Sequence, residues 1–566
     1  MKRYESLWFE DELKHAWMIS AELEKVASLG GLGPVVYNLS KELVKQGIKV
    51  TVIMPSHGRH LNDYYRSLLK LNEISLVAEG DRIGIDGKSY HYKLGFEHGN
   101  LDGINVVLIK GLDYNTGRII DSWNIYDNAM EKSSLLARAV EKYAKFSIPN
   151  DIPSIIHVHD WHSVIAGVIA KFTFEARRVI VPLVFTIHLL NKVSAPWHYA
   201  SEDWSGLINY PHYIWRIIKH DLYTTREVWD FFSSGSIEKF GSYEADLITS
   251  VSKSYLTYDI FNFIGNWIEN KSCIHYNGTD WEIEETKKYA YSKFGTEDKA
   301  EIRKRLFDEL EVLKITPEDY TTRNILWNNR FNIGIKDDWT YSRLENGPLI
   351  LFAGRMVYQK GIDSLLIAFD EVLKTINNAR LIILGLPSSD YGLLQNVVSN
   401  ISRHGSNIRI ILGKMSKELY RLFYYSASVF VIPSRWEPFG LVAVESMAVG
   451  TPVVAYSVGG LRESVLDIRV DQEQGTGLLV EPENVWELSK ALISALSLSI
   501  ASETNNGDFL KYSEVKTNDV KLWDKIRQNC VRRVNENFRW SAGAKQLQEC
   551  YSKAQTMAKY RLLASF

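Results

Sequence analysis

Glu437 and Glu445 flank Gly440 in the stretch VFVIPSRWEPFGLVAVESMAVGTP, from Val429 to Pro452. The β-branched run Val429–Ile432 reads as a buried parallel strand that stops at Pro433. Gly440 opens a helix over Leu441–Ala448, which Gly450 and Pro452 close. This spacing puts Glu437 at the strand's C-terminal rim and Glu445 about a turn and a half into the helix. Bare backbone N–H groups, those of Gly440 and Leu441 among them, lie between. Carboxylates accept hydrogen bonds from the hydroxyls of a sugar or a ribose, and a helix N-terminus favours an anion. The pattern suits a polyol that carries a diphosphate. Taken singly, either glutamate also fits a solvated surface position.

Other residues carry related chemistry. Arg355 and Lys360 stand in FAGRMVYQKGID, just past a strand at Leu349–Phe352. Two cations at a strand's end can neutralise the charge of a departing diphosphate. Cations near a helix start oppose the macrodipole, so the placement asks for an anionic partner. In His157-Val158-His159-Asp160-Trp161-His162 the potential ligands crowd along one strand end, too tightly for a tetrahedral metal site, and no metal is expected. Asp160 either caps a helix over Trp161–Phe172 or lines the rim of a sugar pocket. His188 ends the strand Leu183–His188 on the same sheet rim. The loop Ser28–Gly33, with Gly30 and Gly31, can bring backbone amides against a pyrophosphate. Its spacing is not the dinucleotide fingerprint, which argues against a nicotinamide oxidoreductase.

These residues need strands and crossover helices to hold them. In the first half, strands are expected at Ala16–Ser20, Lys49–Met54, Asn105–Ile109, Ser154–His159, Leu183–His188 and Leu247–Ser250, with a helix over Val35–Gln46. The second half begins again at Leu349–Phe352, followed by Arg380–Leu384, Arg409–Ile411, Val429–Ile432 and Pro452–Ala455. The class is α/β: two doubly wound parallel sheets in tandem, with ligands at the strands' C-terminal edges. A length of 566 residues agrees with two such domains. The turn-rich His275–Asp280 marks the boundary. Trp281–Pro348 reads as charged and irregular, and Ser502–Asn518 as a mobile loop.

A formal net charge of −2 gives no reason to expect nucleic acid or an anionic membrane as partner. Cys273, Cys530 and Cys550 are scattered, which supports neither a zinc site nor a disulfide framework. The first twenty residues have charges throughout and no apolar core like that of a signal peptide. A cytoplasmic location is expected.

In their order along the chain, the motifs SAELEKVASLGGLGPVV, HVHDWH, VFTIH, HYNGTD, FAGRMVYQKGID, PSRWEPFGLVAVESMAVGTPVVA and FRWSAGAKQLQECY resemble those of glycogen and starch synthases, including archaeal forms. These are retaining glycosyltransferases with two Rossmann-like domains facing across a cleft (GT-B). The resemblance implies an N-terminal domain over 1–275, completed by a C-terminal helical segment at 541–566, and a nucleotide-sugar-binding domain over 276–540. It implies Arg355 and Lys360 on the donor's phosphates, Glu437 on the transferred glucose and Glu445 on the ribose. Gly440 and Leu441 would offer amides to the distal phosphate. Asp160 and His188 would line the glucose subsite, and Gly30 and Gly31 would lie near the diphosphate.

The implied activity is transfer of glucose from ADP-glucose or UDP-glucose to the 4-hydroxyl of an α-1,4-glucan, with no further cofactor and no metal. Nucleotide sugar and α-glucan are the partners expected, with homo-oligomerisation left open. Three departures bear on this. Ser28 stands where the family has lysine, with Lys25 three residues earlier, and Leu189 stands where it has asparagine. Leu189–Tyr243 matches the family poorly. Alternatives are another retaining GT-B enzyme, of trehalose- or sucrose-synthase or mannosyltransferase type, or a sugar-binding protein with weakened catalysis.

Overall fold

A computed structural model describes residues 8–9, 12–216, 219–386 and 390–563 of the chain; the expected segments 1–275 and 541–566 extend beyond these at their outer ends. Apolar β-branched runs bounded by Gly, Pro and Ser become buried strands, as fully covered parallel sheets require. The chain divides into two compact units, Met1–Asn277 with Trp540–Phe566, and Gly278–Arg539.

The first unit holds a nine-stranded sheet. Its strands are β1 (His15–Ile19), β2 (Lys49–Pro55), β3 (Asn72–Ile83), β4 (Ser89–Leu101), β5 (Ile104–Gly111), β6 (Ile155–His159), β7 (Leu183–Ile187), β8 (Leu247–Ser250) and β9 (Ser272–Ile274). They lie in the order β9-β8-β7-β6-β1-β2-β5-β4-β3. All pairings are parallel except β3 with β4 and β4 with β5. The second sheet has six strands: β10 (Leu349–Arg355), β11 (Arg380–Leu386), β12 (Ile408–Leu412), β13 (Val429–Ile432), β14 (Val453–Tyr456) and β15 (Gly477–Val480), in the order β12-β11-β10-β13-β14-β15. Every pairing there is parallel.

Among the parallel pairings, strand order reverses between β1 and β6 in the first sheet and between β10 and β13 in the second. At such a switch point the crossovers leave on opposite faces and open a crevice at the strands' C-terminal ends. The helices α1 (Leu32–Lys45), α2 (Trp161–Glu175) and α3 (Leu441–Ala448) follow β1, β6 and β13 in the chain, and α4 (Trp540–Leu563) is the last helix. In the first unit α4 packs against α1 and against β7, β8 and β9.

Some expectations need correction. Trp281–Pro348 is not irregular; it contains helices at Ile283–Phe294, Lys299–Glu309 and Tyr320–Asn328. Asp298 and Asp319 cap the last two, accepting from the amides of Glu301 and Thr322. The expected loop at Ser502–Asn518 begins inside a helix, Val485–Thr504, with Ser502 buried, and continues as a 3₁₀ turn at Gly507–Tyr512. The long antiparallel β3–β4 pair was not foreseen. Within Leu189–Tyr243 an antiparallel pair forms between Pro211–Arg216 and Lys219–Thr224, while Trp229 and Phe240 enter the first unit's core; residues 217–218 lie outside the described residues.

Cys273 and Cys550 form a disulfide across a sequence separation of 277 residues, which ties β9 to α4. Only the fold brings these two cysteines together, so spacing along the chain gave no sign of it. Cys530 is a buried free thiol.

Candidate active site

In the second unit the candidates gather at the switch point. β10 and β13 are neighbours. Arg355 is the last residue of β10, and Glu437 lies five residues past the end of β13. Lys360 closes a 3₁₀ turn after β10, and its Nζ donates to Glu437 Oε2 at 2.5 Å. Both side chains are largely buried, at 16% and 11% exposure. Arg355 is half-buried and, among the described residues, its guanidinium has neither a hydrogen bond nor an ion pair. An uncompensated guanidinium at a strand end can receive an anion.

Local packing explains the register. Gly361 has φ +63, and a Cβ there would lie 1.9 Å from the carbonyl oxygen of Pro433. The turn carrying Lys360 therefore sits directly on the chain leaving β13. Gly459, at φ +43, approaches the carbonyl oxygen of Glu437 just as closely, and the Gly460 amide donates to that oxygen at 3.1 Å. Arg435 holds the loop from its other side by a two-point bond to Asp363 at 3.1 and 2.8 Å, and its guanidinium stacks on Tyr358. Gly440, in the left-handed region, precedes Leu441 at the start of α3, where no side chain caps the helix. Glu445 is half-buried on α3. Burial first, and the charge of Glu445 second, push the Tyr420 hydroxyl above its usual range.

The first unit brings together Asp160 and His188. Asp160 occupies the N-cap position of α2 but makes no capping bond, contrary to the helix-cap expectation. Instead its Oδ1 accepts from the amides of His188 at 2.7 Å and Leu189 at 3.1 Å. Its φ of +56 is one that side chains rarely adopt. Burial pushes its carboxyl up to about 7, against the pull of those two amides. His188 directly follows β7 and is 8% exposed. Burial holds it well below the usual imidazole range, with the neighbouring His159 adding to the effect. Among the described residues no group of three or more His, Cys, Asp or Glu is placed to hold a metal ion.

The glycine loop follows β1, at the first sheet's switch point, but its amides are not all free. Glu22 Oε2 accepts from the amides of Leu29 at 2.9 Å and Gly30 at 3.3 Å, and from Ser28 Oγ at 3.2 Å. Tyr126 donates to its other oxygen. Gly31 stands at the N-cap of α1, again without a side-chain cap. Lys25 does not replace the missing lysine, because its Nζ is held by Asp102 at 2.7 Å and by Tyr37. Glu22 is the residue that the sequence reading missed. Its only sequence signal is a carboxylate six to eight positions before a run of donors.

Residues 15–264 match the family described as starch synthase catalytic domain, and residues 336–506 the family described as glycosyl transferases group 1. The chain is a glycosyltransferase. This glycosyltransferase is 23% identical to a glycogen synthase of Desulfitobacterium hafniense, over 94% of this chain and 97% of that protein. A glycogen synthase of Thermodesulfovibrio yellowstonii is 25% identical, over 94% of this chain and 96% of its own length. Among solved structures, the catalytic domain of starch synthase IV from Arabidopsis thaliana, bound to ADP and acarbose, matches at a TM-score of 0.66 and 21% identity. That match covers 96% of this chain and 100% of the plant domain. A likeness at that identity establishes the shared GT-B fold. No helix among the described residues of the glycosyltransferase is long and apolar enough to cross a membrane.

Proposed function

We propose that this glycosyltransferase is a glucan synthase. It transfers glucose from ADP-glucose or UDP-glucose to the 4-hydroxyl at the non-reducing end of an α-1,4-glucan, with retention of configuration. The observation that carries the reading is the second unit's switch point: unpaired Arg355, the Lys360–Glu437 pair and the uncapped start of α3 stand at one strand edge. The curated glycogen synthases matched over nearly their whole length support the same substrate class.

Arg355 and Lys360 bind the diphosphate and stabilise the charge it gains on leaving. Gly440 and Leu441 present amides to its distal phosphate. Glu437 accepts from hydroxyls of the transferred glucose, and Glu445 from the ribose. In the first unit, Asp160 and His188 contact a glucose unit, and Gly31 approaches a phosphate. The bond between C1 and the diphosphate oxygen breaks, and C1 bonds to the acceptor's O4 on the same face. The acceptor's proton passes to the departing diphosphate. Lys360 and Glu437 neutralise each other without ligand, and donor binding replaces that bond with one to phosphate and one to sugar.

A second reading, a sugar-binding protein with weakened turnover, draws on the glycine loop. Ser28 leaves the loop without a cation of its own, and Lys25 is committed to Asp102. Nucleotide release from ADP-glucose and from UDP-glucose, each with and without glycogen and in the presence of EDTA, separates the two. The enzyme reading expects release that depends on glycogen and survives the chelator. Nucleotide binding without release from either donor would move the weight to the binding protein.

A further inference from the structure

Beside the proposed sugar site lies a histidine that no substrate reaches. His159 ends β6 and is fully buried. Its Nδ1 is 3.0 Å from Nε2 of His188, and the two rings stack at 5.3 Å between centroids. On the other side His159 packs against the ring of His157, at 4.0 Å between centroids. His157 is in turn held by Tyr551 of α4 at 2.9 Å and by Thr186 at 2.6 Å. Nε2 of His159 is sealed from solvent and, among the described residues, has no hydrogen-bond partner.

That orphaned atom decides where the protons are. Burial keeps both His159 and His188 neutral, so each ring carries one N–H. If His188 donated from Nε2, His159 would have to carry its proton on Nε2, as a buried N–H with no acceptor. Orphaned buried N–H groups are rare in folded proteins, and the alternative avoids one. In that alternative His159 donates from Nδ1, and the atom left bare in the interior is a lone pair. His188 then carries its proton on Nδ1. No hydrogen bond within the described fold engages that nitrogen, nor is it a fully buried orphan. The backbone of His188 is fixed independently by Asp160.

We propose that His159 is a positioning residue that locks His188 in the Nδ1–H tautomer, so that His188 meets the transferred sugar as a hydrogen-bond donor to a sugar oxygen. The proposal rests on the reading that His188 contacts that sugar. Its first half, the tautomer, stands apart from activity and can be measured apart from it. The donor role follows from the geometry: with Nε2 occupied by His159, Nδ1–H is the one polar edge His188 has left.

The test is a long-range ¹H–¹⁵N correlation spectrum of the full chain labelled with ¹⁵N-histidine, in which the His188 signals are those lost in His188→Ala. The expected pattern is a protonated Nδ1 and a bare Nε2. A protonated Nε2 in the unsubstituted protein overturns the proposal, whether or not the protein transfers glucose. His159→Asn keeps a donor near the place of Nδ1 and is expected to retain both the tautomer and most of kcat. His159→Phe removes the donor, so His188 should sample both tautomers. Its kcat should fall on the order of ten- to a hundredfold, with nucleotide affinity unchanged. An unaltered His188 tautomer in His159→Phe overturns the positioning role. If that variant does not fold, the spectrum of the unsubstituted protein still decides. Complete absence of transfer alongside the expected spectrum would strike the functional reading and leave the tautomer assignment in place.

Discussion

At the scale of single residues, Lys360 and Glu437 form one object, a largely buried ion pair at the second unit's switch point. Glu437→Ala is expected to lower kcat by orders of magnitude. It should also destabilise the protein, because removing one partner leaves a poorly solvated charge; about 3 kcal/mol is a reasonable scale for a buried pair. Kinetics and a thermal melt of the same variant check both; near-normal turnover would remove Glu437 from its assigned role. Asp160 gives a prediction in pH. Its folded carboxyl titrates at about 7, above the ordinary 3.8. The native state therefore holds a proton between these values that the unfolded chain has released. Stability from this group is full below pH 4 and declines as pH rises through 7, by on the order of a few kcal/mol. Asp160→Asn should flatten that slope in melts run from pH 4 to 8, and an unchanged slope would contradict the assignment. The strand-end positions of Arg355, Lys360 and Glu437 were legible in the sequence because short motifs fix them there. Glu22 was not, because its meaning depends on where the chain folds back over it.

Among the elements, strand order does most to locate the site. Both switch points coincide with candidate residues: Asp160 and the glycine loop beside β6 and β1, Arg355 and Glu437 beside β10 and β13. Two glycines hold the second arrangement. Gly459→Ala would place a methyl group 1.9 Å from the Glu437 carbonyl oxygen, in a backbone conformation that alanine rarely adopts. It should cost on the order of 1–3 kcal/mol in stability and lower kcat by displacing Glu437. Equilibrium unfolding and steady-state rates would check it, and a variant normal in both would detach the loop's geometry from function. Most of the parallel strands were readable as short buried apolar runs, whereas the short strands Ser272–Ile274 and Gly477–Val480 were not among those expected. The helices between Trp281 and Pro348 were hidden by high charge. The sequence does carry a cap signal for one of them, Asp298 followed three residues later by Glu301.

For the molecule as a whole, the last helix is bound into the first unit by packing, by Tyr551 and by the Cys273–Cys550 disulfide. Such bonds are uncommon where thiols are kept reduced, with intracellular proteins of hyperthermophiles as an exception. Cys550→Ser should lower thermal stability by about 2–5 kcal/mol and leave kcat near normal at moderate temperature. A melt unchanged by the substitution would mean that packing alone secures the helix. The sequence could not announce this cross-link, since 277 residues separate the two cysteines and only the fold joins them. The central claim, transfer of glucose onto an α-1,4-glucan with retention, is tested most directly by the product. The protein would be incubated with maltotetraose and ADP-glucose or UDP-glucose, and the oligosaccharides resolved and examined by ¹H NMR. The expected result is a ladder of longer oligosaccharides whose new linkages are all α-1,4. Free glucose and nucleotide without a ladder, or a new linkage of another kind, would contradict it.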